Sequence, residues 1–238
     1  MANLHGKRVF GNQVFYDTYR QRWVDAIGGG VTKFILDTAF TPADDTTGDL
    51  SGFTHTAVEV GAGTSTAVLA DNALLITTAG NEDDGVNLQV KGEAFKLDAA
   101  TKQVYFGVNI TLSEVTQCDA IIGLVITDTD SIGGVSDGVY FITADGSATL
   151  SLALEKNGTA TTTSLATIVD ATNYTLEFMF DGTNVDSWIN GVLQTRGVAT
   201  NLPNDEFLTP SITVQNGSAA AKTATINWLR VIQLDGTK

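Results

Sequence analysis

An all-β antiparallel sandwich is the fold class the sequence predicts, on three observations. Residues 174–192, YTLEFMFDGTNVDSWINGV, alternate with a period of two: Tyr174, Leu176, Phe178 and Phe180 share one side, and Thr175, Glu177, Met179 and Asp181 the other. Asp181-Gly182 and Asn190-Gly191 end the two runs with dipeptides that accept the positive φ angles of a type I′ turn, so the stretch reads as an antiparallel meander. Similar apolar runs, separated by Asp137-Gly138, Asp145-Gly146, Asn157-Gly158 and Asn216-Gly217, recur at the spacing of about 10 to 15 residues expected of a sandwich.

The composition agrees. With 238 residues, 43% hydrophobic and 17% charged, the chain can bury one large core, and 24 Gly against 3 Pro suit many tight turns. Two domains are expected: an N-terminal arm over residues 1–38 and a sandwich over residues 39–238. In the arm, Tyr16, Tyr19, Arg20, Trp23, Val24 and Ile27 recur near helical spacing, Asp17 stands where a cap would, and Gly28 to Gly30 supply a stop, so one short helix is expected there.

From Val31 onward strands are expected at residues 31–37, 55–60, 67–69, 73–78 and 86–90, with acidic loops at 41–49 and 81–85. The second half is cleaner, with strands at 103–112, 119–127, 138–144, 149–156 and 165–169 before the meander, and 192–195, 208–215 and 223–234 after it. The runs at 120–125 and 229–232 do not alternate, which predicts strands covered on both faces or bulged.

The formal charge of −14 argues against nucleic-acid or anionic-membrane binding, which needs clustered cations. That charge is uneven: residues 1–33 hold Lys7, Arg8, Arg20, Arg22 and Lys33 against Asp17 and Asp25, a net of +3, which leaves −17 for the rest. Such an arm is matched to an acidic surface, either its own body or a partner. Cys118, the only cysteine, excludes an intrachain disulfide and reads as a small core residue. The first residues lack the apolar stretch of a signal peptide and no run has the length of a membrane span, so synthesis in a cytoplasm is expected.

Chemistry has few candidates. His5 and His55 are the only histidines, and neither has a catalytic or metal-ligating neighbour in sequence. No phosphate-binding loop, nucleophile elbow or dinucleotide fingerprint occurs. Glu82 with Asp84, and Asp128 with Asp130, each put two acids on one side of an extended chain, the pairing a glycosidase uses, but both lie in Gly- or Thr-rich loops without an aromatic platform and read as solvated turns; calcium is the alternative ligand. No cofactor, metal site or enzymatic activity is expected.

Through Asp137-Gly-Val-Tyr-Phe, Asp181-Gly-Thr-Asn, Ile189-Asn-Gly, Leu208-Thr-Pro and Ile226-Asn-Trp, the chain resembles the concanavalin A-like (laminin-G or lectin-type) jelly rolls over about residues 85–235, and more narrowly a group of tailed-phage virion proteins in which such a jelly roll follows a short arm. The glucanases of that fold carry a Glu-x-Asp-x-x-Glu strand that no segment here matches, and the lectins' calcium ligands find no counterpart, so no functional residue is carried over.

The resemblance implies a capsid decoration, cement or head-fibre protein on the virion surface. The arm would then grip the major capsid protein or sister subunits of a homo-oligomer, a trimer or dimer, through Lys7, Arg8, Phe10, Tyr16, Tyr19, Arg20, Arg22 and Trp23. The alternative is a carbohydrate-binding, lectin-like module in which Trp188, Trp228 or Tyr140 meets a surface glycan, although the position of Trp188 between Val185 and Ile189 favours a core role.

Overall fold

The computed structural model describes residues 4–17, 22–38, 50, 52–98 and 101–235. Strands β1 (Leu4–Val9), β2 (Asn12–Asp17) and β3 (Arg22–Ile27) form a small antiparallel sheet in that order. They are followed by β4 (Val31–Asp37), β5 (Phe53–Val58), β6 (Thr66–Ala70), β7 (Ala73–Thr77), β8 (Gly85–Val90), β9 (Thr101–Leu112) and β10 (Cys118–Val125). A one-turn helix, α1 (Ser131–Gly134), precedes β11 (Gly138–Thr143), β12 (Thr149–Lys156), β13 (Thr159–Thr167) and β14 (Asn173–Phe180). The chain ends with β15 (Val185–Ile189), β16 (Val192–Val198), β17 (Thr209–Asn216) and β18 (Thr223–Asp235).

Two large antiparallel sheets make the sandwich. The front sheet runs β13-β12-β11-β10-β17-β8-β5 and the back sheet β16-β15-β14-β9-β18-β7-β6, with β4 paired to the second half of β18. Consecutive front neighbours such as β10 and β17 are far apart in sequence, the crossovers of a jelly roll. The expected alternation in β14 holds: Leu176, Phe178 and Phe180 are buried between the sheets. There Phe178 stacks on Phe106 of β9 at 4.9 Å and 9°, and meets Phe141 of the front sheet at 6.0 Å and 46°. Cys118 is buried in the same core as a free thiol, and burial pushes its pKa up to about 12.

Turn chemistry follows the sequence at Asn190-Gly191 and Asn157-Gly158, whose paired positive φ angles (51° and 76°, 51° and 72°) are those of type I′ turns. At Asp181-Gly182 the outcome differs. Phe180 pairs with Val185 across a four-residue loop, and the Asp181 carboxylate organises it by accepting from Thr183 N (2.9 Å) and Asn184 N (2.8 Å). The strand expected at 165–169 begins earlier, at Thr159, because the Thr-rich run pairs with β12 along its length.

The arm corrects the sequence reading most. Instead of a helix there is a β-meander, and Tyr16 and Trp23 are cross-strand partners. Seven residues is two helical turns, and it is also the separation these two reach across a hairpin, so one spacing fits both. Tyr19 and Arg20 lie outside the described residues.

The meander packs on the outer face of the back sheet. Val14, Trp23 and Ala26 are buried there with Tyr105, Ile232 and Leu234, and the Trp23 indole stacks on the Tyr105 ring at 6.0 Å and 25°. Within residues 31–38, β4 is hydrogen-bonded into the sandwich along β18, from Val31 opposite Leu234 to Asp37 opposite Trp228.

Trp23, 4% exposed, is the anchor of this layer. Replacing it with Ala should lower unfolding free energy by about 3 to 5 kcal/mol, the range for truncating a buried aromatic. Urea denaturation measures it; a loss below about 1 kcal/mol would mean that the meander contributes little to the fold.

Candidate functional site

The outer face of the front sheet is polar in sequence yet closed. Asn87 and Gln89 on β8, Thr209, Ser211 and Thr213 on β17, and Ser151 on β12 are all buried. The segment 126–137, which includes α1, lies over the amides of Asn87 and Gln89. Asn87 Nδ2 donates to the Asp128 carbonyl (2.7 Å) and Gln89 Nε2 to the Ile126 carbonyl (3.1 Å); Gln89 Oε1 accepts from Asp128 N (2.9 Å) and Asn87 Oδ1 from Ser131 Oγ (3.1 Å). Beside this polar strip, Ile132 and Val135 of the cover pack on Ile121, Val125, Tyr140 and Ala153. Tyr140 is therefore buried, its hydroxyl donates to Glu155 Oε2 (2.5 Å), and desolvation by that burial raises its pKa. It offers no ring face to a sugar.

The acid pairs resolve as turn residues. Asp128 Oδ1 accepts from Asp130 N (3.1 Å), and Asp130 Oδ1 caps α1 by accepting from Ile132 N (3.2 Å). Asp84 is wholly buried, while Glu82 is exposed, so these two do not converge. The Asp84 carboxylate accepts from Val60 N (2.8 Å), Asn81 N (2.7 Å) and Asn81 Nδ2 (2.9 Å), and the backbone bond from Val60 is the largest cause of its lowered pKa. Among the described residues no group of three His, Cys, Asp or Glu is placed to hold a metal ion. His5 and His55 are both exposed, His5 on β1 and His55 on β5.

The back sheet's outer face carries the richer constellation. Glu177 of β14, Gly107 of β9 and Arg230 of β18 form one cross-strand row that continues to Trp188 on β15. A Cβ on Gly107 would lie 2.8 Å from Cζ of Tyr105, so glycine is what lets that ring lie along the sheet and donate its hydroxyl to Glu177 Oε1 at 2.7 Å. Burial first, then the Glu177 carboxylate, raises the Tyr105 pKa well above the ordinary phenol range. From the meander, Arg22 reaches Glu177 at 3.5 Å and its guanidinium stands 4.6 Å from the Trp228 ring centre; that of Arg230 stands at 4.7 Å.

Beyond the meander this face opens to solvent as a patch of planar amides. Asn109 Nδ2 donates to Asn173 Oδ1 (2.8 Å), Asn173 Nδ2 to Asn109 Oδ1 (2.9 Å), and Asn227 Nδ2 also to Asn109 Oδ1 (2.7 Å). Thr175 Oγ1 and Thr111 Oγ1 accept from the same network at 3.1 and 3.2 Å. Asn173 and Asn227 are exposed, and Trp228, cross-strand from Asn109, is half-buried beside them. Strand parity places Trp188 and Trp228 on this outer face, so Trp188 is not the core residue its neighbours implied; Val185 and Ile189 point inward and Trp188 pairs with Glu177.

Of the residues the sequence assigned to partner contact, the structure brings Arg22 and Trp23 onto the chain's own body. Lys7, Arg8 and Phe10 remain exposed on the β1–β2 hairpin, and Tyr16, half-buried, lies under the Lys7 ammonium at 5.1 Å. An apolar pocket opens between the sheets at Ile110, Phe141, Leu150, Ile168 and Leu176, but its free volume of about 10 Å³ is that of a single water, too small for a sugar ring.

No family model and no curated protein matches the sequence. Solved structures do match. The potassium-bound carbohydrate recognition domain of Emp46p is similar with a TM-score of 0.60 and 12% identity, over 84% of this chain and 96% of that one. A β-1,3-glucanase from Mycobacterium marinum gives 0.57 and 16% over 83% and 97%, and one of the endo-acting O-glycanases of the human gut microbiota gives 0.59 and 12% over 85% and 99%. The chain has the concanavalin A-like jelly-roll fold. At these identities the likeness fixes architecture and leaves the site to be argued from this chain's own residues.

Asp84 gives a pH test of the local structure. Its folded pKa lies below its unfolded value near 3.8, so the carboxylate contributes stability above that value, lost as pH falls through the folded pKa. Asp84→Asn puts an amide N–H against backbone donors, and should lower the melting temperature at pH 7 and flatten the acid limb of the stability curve below pH ~4. Equal acid limbs in both proteins would contradict the assignment.

Proposed function

We propose that the chain is a carbohydrate-binding, lectin-like domain, and that the glycan lies on the amide patch of Asn109, Asn173 and Asn227 beside Trp228. The observation that carries the reading is the patch itself: the exposed amides of Asn173 and Asn227, joined through the half-buried Asn109 in one hydrogen-bonded row next to an indole, on a sheet face. Amides both donate and accept, which is what vicinal sugar hydroxyls require, and the side-chain oxygen of exposed Asn227 accepts no hydrogen bond among the described residues. The fold adds support, since the matched structures include a carbohydrate recognition domain and enzymes named for acting on glycans. Binding without hydrolysis is the form of this reading, because the acid pairs near the front sheet serve as turn and cap groups.

A glycan array followed by calorimetry tests it. Asn173→Ala with Asn227→Ala should weaken binding at least about tenfold, ~1.4 kcal/mol, with an unchanged melting temperature. Absence of binding to any glycan at millimolar ligand, or binding indifferent to both substitutions, would end the reading.

A second reading, a virion decoration protein held by its N-terminal segment to a capsid, draws on a different observation: the exposed cations Lys7 and Arg8 with Phe10 at the tip of the β1–β2 hairpin. Because β4 belongs to the sandwich, its test is substitution and not removal of residues 1–33. Lys7→Glu with Arg8→Glu should abolish co-sedimentation with capsids, and undiminished attachment would dismiss it.

A further inference from the structure

The β1–β2 hairpin is built against its own local preferences. Its two-residue turn is Phe10-Gly11 with φ of 48° and 80°, the type I′ geometry that Asn-Gly supplies elsewhere in this chain. A phenylalanine in the left-handed region is strained, and this one is also 47% exposed, so neither the backbone nor burial within the chain accounts for it. Along β1 every residue up to Arg8 is exposed, and Leu4 is 58% and nearby Ile27 60% accessible. The strand's outer edge has no partner among the described residues. Among the described residues Lys7 and Arg8 form no ion pair, and β1 holds no acid.

The opposite charge lies elsewhere on the same molecule. The meander packs on the half of β9 that contains Tyr105, whereas Asp83, Asp119 and Asp145 gather at the other end, where β9 leads into β10. Asp119 accepts from Asp145 N, a bond that lowers its pKa, but burial, with the neighbouring Asp145 and Asp83 carboxylates, leaves it raised. Residues 34–238 carry a net −17 against +3 over residues 1–33. Since the two surfaces lie at opposite ends, one chain cannot bring its own together.

We propose that the β1–β2 hairpin is a docking surface for a second copy of this chain, with Phe10 as the apolar anchor and Lys7 and Arg8 facing the Asp83, Asp119 and Asp145 end of that copy. The contact is head-to-tail and heterologous, so it closes into a ring or extends as an open chain. Two-fold pairing of β1 with β1 is disfavoured, because it brings two cationic edges together and leaves the acidic end unmatched. The proposal is independent of the glycan reading, which uses the uncovered outer face of the back sheet.

Sedimentation velocity on the full chain tests it. Association should appear at low salt, weaken severalfold by 0.5 M NaCl, and fall at least tenfold in Lys7→Glu with Arg8→Glu, and likewise in Asp83→Lys with Asp145→Lys; combining all four should restore it. Phe10→Asn should raise the melting temperature by relieving the turn and still weaken association, a pairing that a merely structural residue would not give. A monomer at all concentrations in low salt, association indifferent to these substitutions, or no recovery in the fourfold variant would each overturn the proposal.

Discussion

The stack of Phe106, Phe178 and Phe141 joins the two sheets, and it sets the constraint on everything else. Once one face of each sheet is spent on that interior, each still has a second face, and a wide sheet whose outer face alternates strictly would leave that face to water. This chain covers both. Segment 126–137 closes the centre of the front sheet with polar and apolar contacts, and the N-terminal meander closes part of the back sheet through Trp23. Buried amides in the first case and a buried carboxylate in the second are the chemical consequences, each supplied with partners because an unpaired polar group there would be costly.

Covering the faces decides what surface is left for recognition. The front face, polar enough in sequence to hold a ligand, is occupied by the chain itself. On the back face the meander stops short of Asn109, Asn173 and Asn227, so the solvent-facing remainder is an amide row bordered by Trp228 and two guanidiniums. The concanavalin A-like fold therefore fixes two sheets and their loops, while the choice of face follows from what this chain has laid across them.

Much of the fold was legible because the interior obeys simple periodicity. Most strands from β7 onward lie near the limits that alternating apolar residues and Asn-Gly or Asp-Gly turns predict, β13 with its Thr-rich start being the exception, and the non-alternating runs at 120–125 and 229–232 mark strands covered on both sides. The arm was misread because Tyr16 and Trp23 satisfy a helical spacing and a hairpin register equally, and a local pattern cannot choose between them without Tyr105, 82 residues beyond Trp23, to stack on. Trp188 was misplaced for a narrower reason: its neighbours' hydrophobicity was weighed above its parity, although Val185 and Ile189 already assigned it to the other face. The amide row carried no sequence signal at all, since its three asparagines come from β9, β14 and the bulged β18 and meet only through pairing registers.

The proposed glycan patch and the proposed docking hairpin are physically compatible. Under the proposed reading, a flat row of amides would bury little of a sugar and strip water from groups it can only partly replace, so single-site affinity for a glycan would be modest. Head-to-tail association would hold several copies of that row at fixed spacing, and a glycan surface then meets them as one multivalent ligand whose later contacts are intramolecular. Selection on such an assembly would fall on the spacing and on the hairpin that sets it, and would account physically for a phenylalanine at φ 48° in an exposed turn, where the fold of the single chain would be better served by asparagine.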